Sequence, residues 1–135
     1  MSDIEVTSVC EAGYTVENEI DGEWGLVVDA LSEDGPSPNQ VLPANYASCY
    51  IPALRVAAQQ TGYDDIGYVE VDVEADLDDD DDLEAIAFTV KTEAALGDDG
   101  QEILELGEEI CHVHSALTED LHADITLEDD AFYNG

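Results

Sequence analysis

Two cysteines, Cys49 and Cys111, are the side chains in this 135-residue chain best suited to covalent chemistry. A thiolate is a strong nucleophile, and its first oxidation product, a sulfenic acid, condenses readily with a nearby thiol to give a disulfide. Two thiols brought together by folding would therefore suit a redox cycle or nucleophilic catalysis. The competing account is that both are small core residues, since free cysteine is often buried for packing alone. Their surroundings distinguish them from the rest of the chain. Cys49 lies near the middle of 35–63, a stretch without one Asp or Glu, and Cys111 lies in a second acid-poor stretch, 110–118. The third cysteine, Cys10, sits at the end of an expected strand and reads as structural. An odd count of three argues against a disulfide framework.

The histidines are the other candidates. Cys111, His112 and His114 form C-H-x-H, a spacing that matches none of the usual zinc patterns, so neither a metal nor another cofactor is expected. An imidazole could instead serve as base or counter-ion to a thiolate. His114 suits this best if it approaches Cys49 across a pair of helices, whereas His122, at the start of a strand, reads as surface. The acidic run 78–82 lacks the glycine and the distal glutamate of a calcium loop and is expected to be a solvated turn.

The elements that must position these residues follow from periodicity. Ile4 and Val6, Tyr14 and Val16, and Trp24, Leu26 and Val28 alternate as three short strands, with Asp21-Gly22 marking a tight hairpin turn between the second and third. From Gln40 to the stop at Gly62 the apolar residues leave hardly any polar face, which is the pattern of a buried helix. Pro43 suits its first turn, and Pro52 should kink it one turn after Cys49. Val69, Val71, Val73, Ala75 and Leu77 alternate with acids as a strand whose hairpin partner carries Ile86, Phe88 and Val90. A second helix is expected over about 100–117, from Ile103, Leu106, Ile110, Val113 and Leu117. A last strand runs through Ala123, Ile125 and Leu127. The order βββ-α-ββ-α-β makes the class α+β, in a single domain spanning 1–135 with the two helices on an antiparallel sheet.

Charge limits the partners. Two basic residues, Arg55 and Lys91, stand against 35 acidic ones, a net charge of −33. Nucleic acids and anionic membranes need clustered Lys and Arg, so both are excluded. Yet 44% of residues are apolar and fall in periodic blocks, so the chain should fold. At about 1 M salt the Debye length is roughly 3 Å, and a carboxylate-covered surface stops repelling itself. The composition therefore points to an extreme halophile, by expectation an archaeon. The start MSDIEVTSVC has neither the basic nor the apolar region of a signal peptide, and a cytoplasmic location is expected. If acid marks surface, the acid-free helix is covered on all sides. A helix of about 20 residues spans roughly 30 Å, more than one protomer of this size covers, so a second copy is expected to complete the cover.

The segment Ser37-Pro38-Asn39-Gln40-Val41-Leu42-Pro43-Ala44-Asn45-Tyr46-Ala47-Ser48-Cys49-Tyr50 resembles the signature of the OsmC/Ohr family of osmotically induced and organic-hydroperoxide-resistance proteins, which opens with N-P-E at the start of a helix and closes on a cysteine within it. Cys111-His112-Val113-His114-Ser115-Ala116-Leu117 is similar to the family's second motif, C-P-V-S-x-A-L. The resemblance covers essentially the whole chain. It implies an intertwined homodimer in which Cys49 attacks an organic hydroperoxide and Cys111 resolves the sulfenic acid, the disulfide then being reduced by a small dithiol or a lipoylated protein. The family's motif glutamate falls on Asn39, and its N-terminal arginine has no counterpart, because Arg55 is the first basic residue of the chain. Those two groups activate the thiol by resemblance, so Cys49 is expected to titrate near or above an ordinary thiol. Asn39 and His114 are the auxiliary candidates, and Arg55 reads as structural. Two readings stay open: a thiol-dependent hydroperoxide reductase, or a non-catalytic OsmC-fold dimer that binds a small apolar ligand.

Overall fold

The computed structural model describes residues 2–132 and divides after Leu42 into two compact units. In the first, β1 (Val6–Val9), β2 (Thr15–Ile20) and β3 (Trp24–Asp29) form an antiparallel sheet in that order. Asp21 and Gly22 both take positive φ, 53° and 66°, which suits the right-handed twist of the flanking strands. The Glu23 N–H closes the turn on the Ile20 carbonyl at 3.0 Å. Ile20 pairs with both Val6 and Trp24, and Val16 pairs with Val28, so one sheet face is largely apolar. Trp24 on that face remains 65% exposed.

The long helix α1 (Pro38–Thr61) begins two residues earlier than periodicity indicates. A capping box sets its start: Gln40 N–H donates to Ser37 Oγ at 3.2 Å, and Ser37 N–H donates to Gln40 Oε1 at 2.9 Å. Pro38, with its fixed φ and no N–H to satisfy, suits the first helical position. The helix ends in a Schellman motif, with Gly62 at φ 111° and the Tyr63 N–H reaching back to the Ala58 carbonyl at 2.9 Å. Pro43 and Pro52 both lie within one continuous helix.

The second unit carries β4 (Val69–Leu77) and β5 (Leu83–Thr92), then α2 (Gly100–Ile110), α3 (His112–Ala116) and β6 (Asp124–Glu128). The β4–β5 hairpin turns at the acidic run, where Asp78 Oδ1 accepts the N–H groups of Asp80 and Asp82. β6 returns to β5 in parallel, pairing Phe88 with Ile125 and Val90 with Leu127, so the sheet is mixed rather than antiparallel. The helices between β5 and β6 make this possible, because a parallel return needs a crossover of a dozen or more residues. Ile86, Phe88 and Val90 on one face of β5 are buried against Tyr46, Tyr50 and Leu54 of α1 and Ile103 and Leu104 of α2. Each such side chain contributes about 1.5–3 kcal/mol by leaving water. Tyr50 donates to the Leu104 carbonyl at 3.0 Å, and a Cβ at Gly107 would stand 3.3 Å from its ring, so the missing side chain lets α2 come close to α1.

Within the second unit α1 is not covered on all sides. Ala44, Ser48, Pro52 and Val56, spaced at every fourth residue, form an exposed stripe free of acid.

The expected second helix breaks at Cys111. That residue has φ −68° and ψ 114°, ending α2 and capping α3. Its N–H closes α2 on the Gly107 carbonyl at 3.0 Å, while its own carbonyl accepts the Ser115 N–H at 3.1 Å. Its sulfur accepts the His114 N–H at 3.4 Å, the role a serine or aspartate oxygen usually plays at a helix start.

Candidate active site

The break at Cys111 builds the site. Cys49, half-buried on α1, and Cys111, fully buried, meet in a thiol–thiol hydrogen bond, and both are free thiols. Because α2 stops and α3 restarts, the first amides of α3 have no helical partner, and they turn to sulfur. Val113 and His112 N–H donate to Cys49, while His114 N–H donates to Cys111.

These contacts separate the two thiols. Burial pushes Cys49 up, but the Val113 amide, the Cys111 thiol and the His112 amide together outweigh it and hold Cys49 below its ordinary value. Burial also pushes Cys111 up, and the contact with Cys49 adds to that rise, so Cys111 keeps its proton. The pair is thus one thiolate-prone sulfur and one thiol that donates to it. This overturns the expectation that Cys49 titrates like an unassisted thiol. Backbone N–H groups carry no sequence signal at their own positions, so side-chain types alone do not reveal them. Hydrogen bonds to a charged acceptor contribute about 1.5–3 kcal/mol each.

Among the auxiliary candidates, His114 reaches the site by its backbone rather than its ring. The ring Nδ1 lies 2.6 Å from Tyr46 Oη, and Nε2 faces Glu108 Oε2 at 4.0 Å. Asn39 lies in the first turn of α1, ten residues ahead of Cys49. Arg55 is engaged elsewhere: it donates to the Gly67 carbonyl at 2.7 Å and pairs with Asp65 at 3.6 Å. His122 is half-buried rather than on the surface, and its ring stacks on His114 with centroids 3.8 Å apart. Cys10 is exposed, with its thiol directed to the Gly13 carbonyl at 3.3 Å. Two residues the sequence did not single out belong to the neighbourhood. Tyr46, one turn before Cys49, is fully buried and holds His114, and Glu108 is raised by burial first and by Glu105 second. Among the described residues no three His, Cys, Asp or Glu side chains converge as a metal site, and no helix is long and apolar enough to cross a membrane.

An α+β chain with a cysteine at mid-helix, facing a second cysteine at a helix break, defines a two-thiol protein. The model of the OsmC-like protein family matches residues 31–126, and the chain belongs to that family. A protein of Haloferax volcanii, a halophilic archaeon, is 52% identical over 133 residues, which is 98% of this chain and 100% of that protein. Among solved structures, the OsmC-like protein of Mycoplasma pneumoniae superposes with a TM-score of 0.77 at 14% identity, covering 95% of this chain and 97% of that one. The organic hydroperoxide resistance protein OhrB of Bacillus subtilis gives 0.71 at 21% identity, covering 94% and 98%. At these identities the structural likeness concerns the fold.

Proposed function

We propose that this protein is a homodimeric, cytoplasmic thiol peroxidase that reduces organic hydroperoxides through Cys49 and Cys111. The observation that carries this reading is the asymmetric pair: Cys49 is held below an ordinary thiol while donating groups surround it, and Cys111 beside it stays protonated. The Cys49 thiolate attacks the terminal oxygen of the hydroperoxide, the O–O bond breaks, and the alkoxide takes a proton to leave as alcohol. Cys111, which already donates to the Cys49 sulfur, is the adjacent source of that proton and is left as a thiolate. It then attacks the sulfur of the Cys49 sulfenic acid, hydroxide leaves and is protonated to water, and a disulfide remains. A small dithiol or lipoylated protein returns both sulfurs to thiols, itself becoming the disulfide. One hydroperoxide and one dithiol thus give one alcohol, one disulfide and one water.

The dimer is supported by surfaces a highly acidic chain leaves uncharged: the Ala44, Ser48, Pro52 and Val56 stripe, and the exposed Val6, Trp24 and Leu26 of the first sheet. Exposed apolar patches of this kind mark contact sites. The reading is tested by hydroperoxide consumption with a dithiol in about 2–4 M KCl, the salt at which exposed charge is screened. Turnover in wild type, lost in Cys49→Ser, is expected. No turnover in wild type, together with saturable binding of an apolar hydroperoxide analogue, would favour the ligand-binding alternative.

A further inference from the structure

α3 is too short to hold itself, since helices shorter than about 12 residues are marginal in water, and none of its five residues is buried. Yet its amides must point at the Cys49 sulfur. Its side-chain anchors are Val113, partly buried against the core, and the ring of His114. Tyr46 Oη accepts the Ala123 N–H at 3.1 Å, so its own proton is free for the imidazole at 2.6 Å. A phenol that donates fixes His114 Nδ1 as acceptor and places the ring proton on Nε2, toward Glu108. Behind His114, the ring of His122 is held by its Nε2–H donating to the Leu117 carbonyl at 3.2 Å. The imidazole is thus enclosed by α1 (Tyr46), α2 (Glu108, with Glu105 beyond it), Cys111 at the start of α3, and His122 before β6.

We propose that His114 is a positioning residue: clamped by Tyr46, its neutral imidazole holds the turn of α3 whose amides embrace the Cys49 sulfur. This rests on the reading of Cys49 as the attacking thiol, but its consequence is readable without peroxide. A second proton on Nδ1 would leave two donors facing each other across 2.6 Å, with the buried Tyr46 hydroxyl proton stranded. Burial, and then the neighbouring His122, keep His114 below its ordinary value, so the clamp is intact at neutral pH and opens as pH falls through that lowered value. Below that point Cys49 reactivity depends on two protons rather than one.

The test is the alkylation rate of Cys49 against pH, resolved by peptide mass spectrometry on the full chain in molar salt, with the exposed Cys10 as internal reference. Tyr46→Phe and His114→Ala should slow Cys49 roughly three- to tenfold at pH 7, the equivalent of up to about one pKa unit, while Cys10 is unchanged. His114→Asn, which keeps an acceptor near Nδ1 but does not titrate, should restore the neutral rate and keep a slope of one in log rate against pH on the acid side. Wild type should steepen there. Equal Cys49 profiles in wild type and His114→Ala would overturn the proposal, as would the same acid-side steepening in His114→Asn. Should His114→Ala fail to fold, shown by loss of its near-ultraviolet circular dichroism, the comparison of His114→Asn with wild type decides alone. A peroxide-inactive wild type with these alkylation profiles would refute the peroxidase reading and leave the clamp standing.

Discussion

His112→Pro removes one of the two amides on the Cys49 sulfur and almost nothing else. The residue before it, Cys111, already has φ −68° and ψ 114°, the extended region a residue preceding proline adopts. Position 112 opens α3, where proline is favoured because its missing N–H has no helical partner. The His112 side chain is exposed, so its loss removes little packing. A hydrogen bond to a charged acceptor contributes about 1.5–3 kcal/mol. Cys49 is only half-buried and the His112 amide is the weakest of its three stabilising contacts, so the low end applies. At about 1.4 kcal/mol per factor of ten, the thiolate fraction at pH 7 should fall roughly tenfold. Proline at a compatible site also restricts the unfolded chain, and stability should hold or rise by about 0.4–1 kcal/mol. The assay pairs Cys49 alkylation across pH 6 to 9 with a thermal melt in the same salt. An unchanged alkylation profile in a variant that melts at or above wild type would refute the amide account of activation. A variant that melts well below wild type would refute the argument that the backbone at 111–112 is already suited to proline.

Cys111→Ser should let one equivalent of cumene hydroperoxide stop at a sulfenic acid on Cys49, captured by dimedone and absent from wild type, where the disulfide forms first. Gly107→Val should destabilise the second unit by at least about 2 kcal/mol, seen in denaturant melts, because a Cβ there already stands 3.3 Å from the Tyr50 ring and the branches must displace it. Glu108 is raised by burial, so its ionised form costs stability that is absent below its unfolded value and grows as pH rises through its folded value. Glu108→Gln should therefore raise the melting temperature at pH 7 and lose that advantage below about pH 4, near the ordinary glutamate value. Lowering salt below roughly 0.3 M should loosen or unfold the protein, since the Debye length approaches 10 Å and 33 net negative charges begin to repel.

Much of this was legible in the chain because salt adaptation sorts residues by exposure. The acid-free stretch mapped onto α1, the alternation of Val69 to Leu77 onto β4, and Asp21-Gly22 onto a turn with both φ angles positive. The fold class and the two-cysteine pairing followed from these and from the motifs. The break at Cys111 escaped because Ile110, Val113 and Leu117 keep helical spacing through it, and periodicity does not see the backbone angle of the one residue between two helices. A signal did exist: the second motif places a proline at position 112, and proline favours the first position of a helix rather than its interior. The parallel pairing of β6 was illegible for another reason, since strand direction depends on where the crossover lands and not on the strand's own alternation. The role of Tyr46 was hidden in the apolar run, where a tyrosine reads as packing although its hydroxyl joins Ala123, just before β6, to His114 of α3.

If Cys49 is the oxidised sulfur and Cys111 its partner, one peroxide oxygen consumes both thiols in a single disulfide. The most direct measurement adds one equivalent of cumene hydroperoxide to the reduced protein in molar salt, without reductant, and follows both the alcohol formed and the disulfide-linked peptides by mass spectrometry. One alcohol per chain is expected, with a single new species joining the Cys49 and Cys111 peptides and Cys10 still free. Oxidation at Cys10 instead, or full recovery of both Cys49 and Cys111 as thiols while hydroperoxide persists, would contradict it.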